Sequence, residues 1–116
     1  MINPMYMCRK HLMGEHVEIH MLIGSMKKNK SIRGFMEQKI LEINSIYERH
    51  NELSNEMKRR GYNHKSNLNK YEVSNLIEKY KIYEKIKVDR SKSLNELINR
   101  CPECKELFEK SLTKDN

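Results

Sequence analysis

The sequence predicts an all-α fold, a compact bundle of three main helices with long basic loops. Apolar residues recur at helical spacing before residue 27 and again over residues 45–60. No Asn-Gly type turn lies between two alternating runs, so a β-hairpin is not indicated. A chain of 116 residues has the size of one domain with one core. We therefore expect a single helical domain over residues 1–116.

The first helix is predicted from Met5 to about Met26, interrupted only by Gly14 and Gly24. Its apolar positions at helical spacing are Cys8, Leu12, Ile19, Leu22, Ile23 and Met26. Residues 27–44 alternate poorly and include a glycine, so they predict a loop with an extended piece around Lys39 to Ile43.

The second helix is predicted over residues 45–60. Ser45 and Glu48 have the spacing of a capping box, in which two side chains satisfy free N–H groups at a helix start. Gly61 is the flexible residue expected just after a helix C-terminus.

Two weaker helical segments follow. One runs from Asn69 to about Lys85, and its inward positions are Val73, Leu76, Ile77 and Tyr80. A second Ser-x-x-Glu pattern, Ser93 to Glu96, predicts a further start, and Pro102 breaks that helix because proline lacks an N–H donor. Pro102 is also a suitable first residue for a short last helix.

The chain is basic, with a net charge of +7 and a pI near 9.3. Basic residues cluster at 27–33 and 58–65, where helices are expected to give way to loops. Such clusters are often only solvated surface, but two in one half of a basic chain favour a nucleic-acid partner. The candidate DNA-binding residues are Arg9, Lys10, Lys27, Lys28, Lys30, Arg33, Arg59, Arg60 and Lys65.

Several function classes are disfavoured. No run approaches the roughly 18 apolar residues that a membrane span needs, so no membrane partner is expected. The N-terminus lacks the basic and apolar regions of a secretory signal, which makes an intracellular location the expectation. Three cysteines cannot all pair within the chain, and in a reducing compartment thiols are free or metal-bound.

The first helix brings chemistry-bearing residues to one side. At 100° per residue, His11, Glu15 and Glu18 lie within about 60° of one another beside the apolar stripe. Partial withdrawal from water and mutual repulsion predict that one of the two carboxyl groups has a raised pKa, as a general acid or base requires. The alternative is that both carboxylates pair with Arg9, Lys10 or a lysine elsewhere and only solubilise the helix.

Two sets of residues have metal-ligand spacing. Cys8-x-x-His11 and Cys101-x-x-Cys104 together supply four soft ligands, enough for a closed zinc site that joins the first helix to the last. The competing and favoured interpretation is that the thiols are packing residues. His16 and His20 also lie four apart, but Glu18 is in the wrong place for the zinc-protease pattern. The overall expectation is no metal and no cofactor.

The run from Cys8 to Ile19, with His11-Leu12-Met13-Gly14-Glu15 at its centre, resembles the first-helix signature of the pyrimidine-dimer DNA glycosylases, the endonuclease V family. Segments 30–35 and 52–63 resemble the family's basic loop and second long helix. The similarity covers about residues 5–65. It implies a compact all-helical fold and a glycosylase coupled to strand cleavage at ultraviolet photoproducts.

The resemblance also implies roles for individual residues. Glu18 matches the family's catalytic carboxylate, His11 matches its active-site histidine, and the nucleophile is the chain's own N-terminal amine, here that of Met1. This sequence departs from the family at Ile2, where a small residue is usual, and at Val17 and Met21, which stand in place of two arginines.

The sequence therefore predicts a repair glycosylase with abasic-site lyase activity on pyrimidine dimers in double-stranded DNA, acting as a monomer without a cofactor. Two alternatives stay open. One is a non-catalytic DNA-binding or packaging protein that keeps the fold, which the departures at Ile2, Val17 and Met21 favour. The other is a zinc-containing interaction module.

Overall fold

The computed structural model describes residues 1–38, 41–64 and 67–114. Its α-helices are α1 (Arg9–Lys27), α2 (Arg33–Glu37), α3 (Ile46–Arg59), α4 (Lys70–Lys79), α5 (Arg90–Arg100) and α6 (Pro102–Lys114). Three short 3₁₀ helices span Pro4–Tyr6, Ile43–Ser45 and Lys81–Tyr83. No strand occurs in these ranges, which confirms the all-α prediction. Six α-helices are present there, so the expected count of three main helices is not confirmed.

The first helix begins later than predicted. Asn3 accepts a hydrogen bond from the N–H of Met5 at 3.0 Å and starts a separate 3₁₀ turn, Pro4–Tyr6. Cys8 is extended, with ψ of 166°, and is the N-cap of α1. The prediction that the helix runs from Met5 was wrong because this proline-containing turn redirects the chain before α1 starts.

Residues 27–44 contain more helix than predicted. Asn29 adopts a positive φ of 55° just after α1, and the short helix α2 follows. Met36 anchors α2 because its side chain is completely buried. The extended piece expected at 39–43 falls partly on residues 39 and 40, outside the described residues, and Ile43 begins a 3₁₀ turn instead.

The second predicted helix, residues 45–60, is confirmed as α3. Its C-terminus forms as expected: Gly61 has φ of 83°, the N–H of Gly61 bonds to the carbonyl of Lys58, and the N–H of Tyr62 bonds to that of Met57. Its start differs, because Ser45 makes no side-chain capping bond. The preceding 3₁₀ turn leads directly into α3, so the capping box is not formed.

Helix α4 begins at the predicted residue, whereas α5 begins at a cap other than the one predicted. Asn69 caps α4 at the N–H of Glu72, but α4 ends at Lys79 rather than near Lys85. Asp89 caps α5 at the N–H of Lys92, so the Ser-x-x-Glu pattern at Ser93 lies inside the helix. The break at Pro102 is confirmed, because α5 ends at Arg100 and α6 begins at Pro102.

The core lies mainly between α1 and α3. Leu12, Ile19 and Leu22 of α1 are fully buried, as are Ile46 and Leu53 of α3. The pair α5 and α6 is attached through the N-terminal segment, where the ring of Tyr6 packs edge-on against that of Phe108 at 5.1 Å. Residues 1–8 therefore lie between α3 and the α5–α6 pair. None of the helices in the described part of the chain is both long enough and apolar enough to cross a bilayer.

Candidate active site

A cleft of about 400 Å³ opens beside α1 and is lined by all three residues expected to be catalytic, Met1, His11 and Glu18. Its walls come from the N-terminal segment, one side of α1 and α5, with Arg49 of α3 at the base. Lys10 and Arg100 also line it. The N-terminal residue, a glutamate and several basic residues thus line the same cleft.

Arg49 organises the base of the cleft, and the sequence reasoning missed it. Its side chain is 1% exposed and makes a two-point contact with Glu15, with Nη2 at 2.7 Å from Oε2 and Nε at 3.2 Å from Oε1. Nη1 donates to the carbonyl of Ile2 at 2.6 Å and to Glu52 at 3.1 Å. One guanidinium therefore fixes the N-terminal segment against α1 and α3. The available sequence signal was the spacing of Arg49, three residues after Ile46 and four before Leu53, which places it on the apolar side of the helix.

The two carboxylates of α1 have different surroundings. Glu15 pairs with Arg49, so pairing with a basic group does occur, but with a different partner from those expected. Glu18 is exposed at the cleft rim, and no ion pair to it is present in the part of the chain that the structure describes. Partial withdrawal from water, and then the charge of Glu15, raise the pKa of Glu18. This agrees with the prediction that one of the pair titrates high.

The α-amino group of Met1 is held in the same cleft. Withdrawal from water is the main effect that lowers the pKa of this amine below its usual 8.0, and Arg90 and Arg49 lower it further. Glu42 and Glu15 act in the opposite direction. A larger share of the amine is consequently neutral near pH 7, which is the nucleophilic form.

His11 lines the cleft and also touches thiols behind it. Its Nδ1 lies 3.1 Å from Sγ of Cys8 and 3.6 Å from Sγ of Cys104. Sγ of Cys101 lies 3.9 Å from Sγ of Cys8, and the N–H of Cys8 donates to Sγ of Cys104 at 3.1 Å. One ligand atom from each of the four residues lies within 4.8 Å of the others. The structure thus brings together the two Cys/His pairs that the sequence singled out.

The opposite side of α1 carries a second cluster of titratable groups. His16 Nε2 lies 3.1 Å from Nε2 of His50 and 3.0 Å from Nε2 of His64, and His20 Nε2 lies 3.1 Å from that of His50. Burial, followed by the three neighbouring imidazoles, lowers the pKa of His16 to about 4. The sequence paired His16 with His20 but did not place His64 beside them.

The first basic cluster is partly neutralised by acidic partners. Lys27 pairs with Glu72 at 2.8 Å, and Arg33 pairs with Glu37 at 2.6 Å. Lys28 and Lys30, between them, are exposed.

Most of the second basic cluster is engaged in contacts within the protein. Arg59 and Arg60 share Glu56, whose side chain is 6% exposed, and together they lower its pKa, Arg59 through the strongest contact. Arg60 also donates to the carbonyl of Pro4 at 3.1 Å, so it ties α3 to the N-terminal turn. Lys65 lies outside the described residues. DNA contact by these groups stays a prediction.

The remaining predicted positions lie on the outer surface of α1. Arg9 stacks over the ring of Tyr62, with Cζ 4.9 Å from the ring centre. Val17 and Met21, where the resemblance has arginines, are 52% and 58% exposed. The surface next to Glu18 is consequently less basic than the resemblance implies.

Comparison with known proteins gives one match. A family model described as pyrimidine dimer DNA glycosylase matches residues 1–70 of the 116. The matched range contains the whole of α1, α2 and α3 and ends at the start of α4. No curated protein and no solved structure matches.

Proposed function

Because the chain belongs to the pyrimidine dimer DNA glycosylase family, we propose that it excises a dimerised pyrimidine from duplex DNA and then cleaves the strand at the abasic site. The observation that carries this proposal is that Met1 and Glu18, which supply the amine and the carboxylate, line one open cleft. Two further cations of the lining, Lys10 and Arg100, suit a substrate with phosphates beside the reacting sugar.

The first step uses the amine. The nitrogen lone pair of Met1 attacks C1′ of the damaged nucleotide, and the glycosidic bond breaks with its electron pair leaving on the pyrimidine. The amine loses a proton to solvent and the leaving base gains one. The C1′–O4′ bond then breaks, O4′ takes a proton from solvent, and the product is a protonated Schiff base. The lowered pKa of Met1 favours this step because only the neutral amine has a free lone pair.

Glu18 acts on the sugar. Positive charge develops there as the base leaves, and an adjacent carboxylate stabilises it. The same carboxylate then takes a proton from C2′, the 3′-phosphate leaves with the C3′–O electron pair, and water hydrolyses the imine to free Met1. Glu15 is unsuited to this role because Arg49 occupies both of its oxygens.

Arg49 is a positioning residue in this scheme. It holds the carbonyl of Ile2 at 2.6 Å, one residue from the proposed nucleophile, and its charge helps keep the Met1 amine neutral. The reacting nucleotide must leave the helical stack to reach the cleft, which costs a few kcal/mol and is easiest at a distorted lesion.

The test is incubation with a duplex containing one cyclobutane dimer or one abasic site, with and without borohydride. The proposal predicts strand cleavage without the reductant and a covalent protein–DNA adduct with it. An undamaged duplex of the same sequence is the control and gives neither product.

Two other outcomes contradict the proposal. Salt-sensitive DNA binding with no cleavage and no adduct at saturating protein would support the non-catalytic DNA-binding alternative, which the exposed Val17 and Met21 favour. Cleavage of dimers without any trapped adduct would leave a glycosylase that does not use an amine.

A further inference from the structure

We propose that Cys8, His11, Cys101 and Cys104 bind one Zn²⁺ ion in a closed tetrahedral site that fastens the α5–α6 pair to the start of α1. The inference does not depend on the proposed enzymatic activity, because it concerns how the second half of the chain is held to the first. Two of the four ligands, Cys101 and Cys104, lie beyond the residues that the family model matches.

The spacing of the ligand atoms fits zinc. With Zn–S near 2.3 Å and Zn–N near 2.0–2.1 Å, a regular tetrahedron places two sulfurs about 3.8 Å apart, and a sulfur and a nitrogen about 3.6 Å apart. The separations are 3.9 Å between the sulfurs of Cys8 and Cys101, and 3.6 Å and 3.1 Å from Nδ1 of His11 to the sulfurs of Cys104 and Cys8. All four ligand atoms lie within 4.8 Å of one another, so the remaining separations are also close to those of a tetrahedral site.

The backbone presents each pair at a helix start. Cys8 is the extended N-cap of α1, with His11 in the first turn above it. Cys101 is extended between α5 and α6, and Cys104 stands in the first turn of α6. Each pair therefore lies where its helix begins, and a shared ion would join the two helix starts.

The surroundings of the cluster supply further features of a metal site. The N–H of Cys8 points at Sγ of Cys104 from 3.1 Å, the kind of outer contact that orients a sulfur ligand. On binding, the three thiols release their protons to solvent, and three thiolates with one Zn²⁺ leave a net charge of −1. Lys10, Arg100 and Glu103 line the pocket beside the cluster, so two cations and one carboxylate leave one positive charge to balance it. The pocket is also a path for the ion to enter.

The site also meets a structural need of the C-terminal helices. The described side chains of α5 and α6 include one buried apolar residue each, Leu97 and Cys104. Two helices with so little fully buried surface gain little from the hydrophobic effect, whereas a structural zinc site contributes folding free energy directly. The ion would thus hold the wall of the cleft that α5 forms.

Zinc binding would also settle the role of His11. With Nδ1 on the metal, the ring keeps its proton on Nε2 and is fixed in orientation. His11 would then be a positioning residue at the back of the cleft, while Glu18 and Met1 carry out the chemistry.

The test uses the whole protein, purified under reducing conditions without added chelator. Metal analysis should give one zinc per chain. Replacement by Co²⁺ should give the intense near-ultraviolet absorption of thiolate-to-cobalt charge transfer, with an intensity expected for three sulfurs. This absorption identifies the ligands, because cobalt on the histidine cluster around His16 has no sulfur ligand and lacks it.

Several variants identify the ligands, so the assignment does not depend on any single variant being able to fold. Cys101→Ser and Cys104→Ser should each weaken the charge-transfer band and lower the zinc content, whereas the matched control His20→Gln should change neither. Removing zinc from the unmodified protein with a chelator should lower its Tm, and adding zinc back should restore it. Less than about 0.1 zinc per chain after reconstitution, cobalt bound without the thiolate band, or a Cys–Cys disulfide in the reduced protein would each overturn the proposal.

Discussion

The two sides of α1 place titratable groups of similar spacing in opposite settings. On one side Glu15 and Glu18 border an open cleft, where one carboxylate is neutralised by Arg49 and the other meets solvent. On the other side His16 and His20 enter a cluster of imidazoles, and His16 is 7% exposed. Both sides perturb pKa values, upward for Glu18 and downward for His16.

The difference teaches that a shifted pKa does not by itself mark a reactive group. Glu18 combines a shifted pKa with access for a substrate and with an amine lining the same cleft. His16 has the larger shift but is 7% exposed and is surrounded by other imidazoles, so its setting is that of a buried cluster. Access, and not the size of the shift, distinguishes the two.

The largest effect expected is on the cleft side, from Arg49→Met. The substitution leaves Glu15 without its partner in a largely buried position, and breaking a buried ion pair in this way costs about 3–5 kcal/mol. Chemical denaturation should show this loss. The double variant Arg49→Met, Glu15→Gln removes both charges and should recover part of it. Equal losses in the single and double variants would mean that the pair does not stabilise the cleft.

The next effect is catalytic. In the proposed mechanism the negative charge of Glu18 faces the sugar. Glu18→Gln removes that charge, and loss of one such electrostatic group lowers turnover by about 10²–10³-fold. DNA affinity should change little, because the variant removes no cation. Glu109→Gln, at an exposed glutamate of α6, is the matched control and should leave turnover unchanged. Turnover of Glu18→Gln within a few-fold of the unmodified enzyme would remove Glu18 from the mechanism.

From the lowered pKa of His16 we expect the stability of the protein to depend on pH. Because the pKa of His16 is about 4 when folded and 6.5 when unfolded, the unfolded state binds the proton first as the pH falls. Neutral His16 therefore contributes about 3 kcal/mol to the free energy of unfolding above about pH 6.5. This contribution is lost as the pH falls from about 6.5 to about 4.

The groups that face His16 are His20 on its own helix, His50 of α3 and His64 after α3. Denaturation at several pH values should show a shallower decline for His16→Gln than for the unmodified protein. An identical decline would place the acid sensitivity elsewhere.

The smallest effect concerns the basic surface near the end of α1. Lys28 and Lys30 are exposed, and each lysine that contacts a phosphate contributes about one unit to the slope of log affinity against log salt. Lys28→Ala with Lys30→Ala should therefore reduce that slope by about two. Lys110→Ala on α6 is the control. An unchanged slope in the double variant would exclude these two lysines from the DNA contact.

Short sequence patterns predicted a helix correctly where its boundaries depend on neighbouring residues alone. Helix α3 agrees with the apolar periodicity and with Gly61, which ends it with a positive φ. The pattern at Ser45 does mark the start of α3, but a 3₁₀ turn leads into the helix and the capping bond does not form. The pattern at Ser93 failed as a helix start because the Asp89 cap precedes it. Capping depends on where the chain enters the helix, which tertiary packing decides.

Of the candidate site, helical geometry placed His11, Glu15 and Glu18 together on one side of α1, and the structure places them on one cleft. The partner of Glu15 was beyond such reasoning, because Arg49 is 34 residues away in sequence and its burial follows from the packing of α3 on α1. The convergence of His64 on His16 has the same origin. A basic cluster in the sequence does not show which of its side chains are available to DNA, because acidic residues such as Glu37, Glu56 and Glu72 pair with part of it.

The most direct test of the central claim is to find which nitrogen becomes attached to DNA. The borohydride-trapped adduct is digested with a protease and a nuclease, and the peptide that carries the sugar remnant is sequenced by mass spectrometry. Among the described residues that line the cleft, Lys10 carries the one competing amine, and Lys10→Arg serves as the matched variant. We predict the remnant on the α-nitrogen of Met1, with an unchanged adduct yield in Lys10→Arg. A remnant on Lys10, or loss of the adduct in Lys10→Arg, would contradict the assignment of the N-terminal amine as nucleophile.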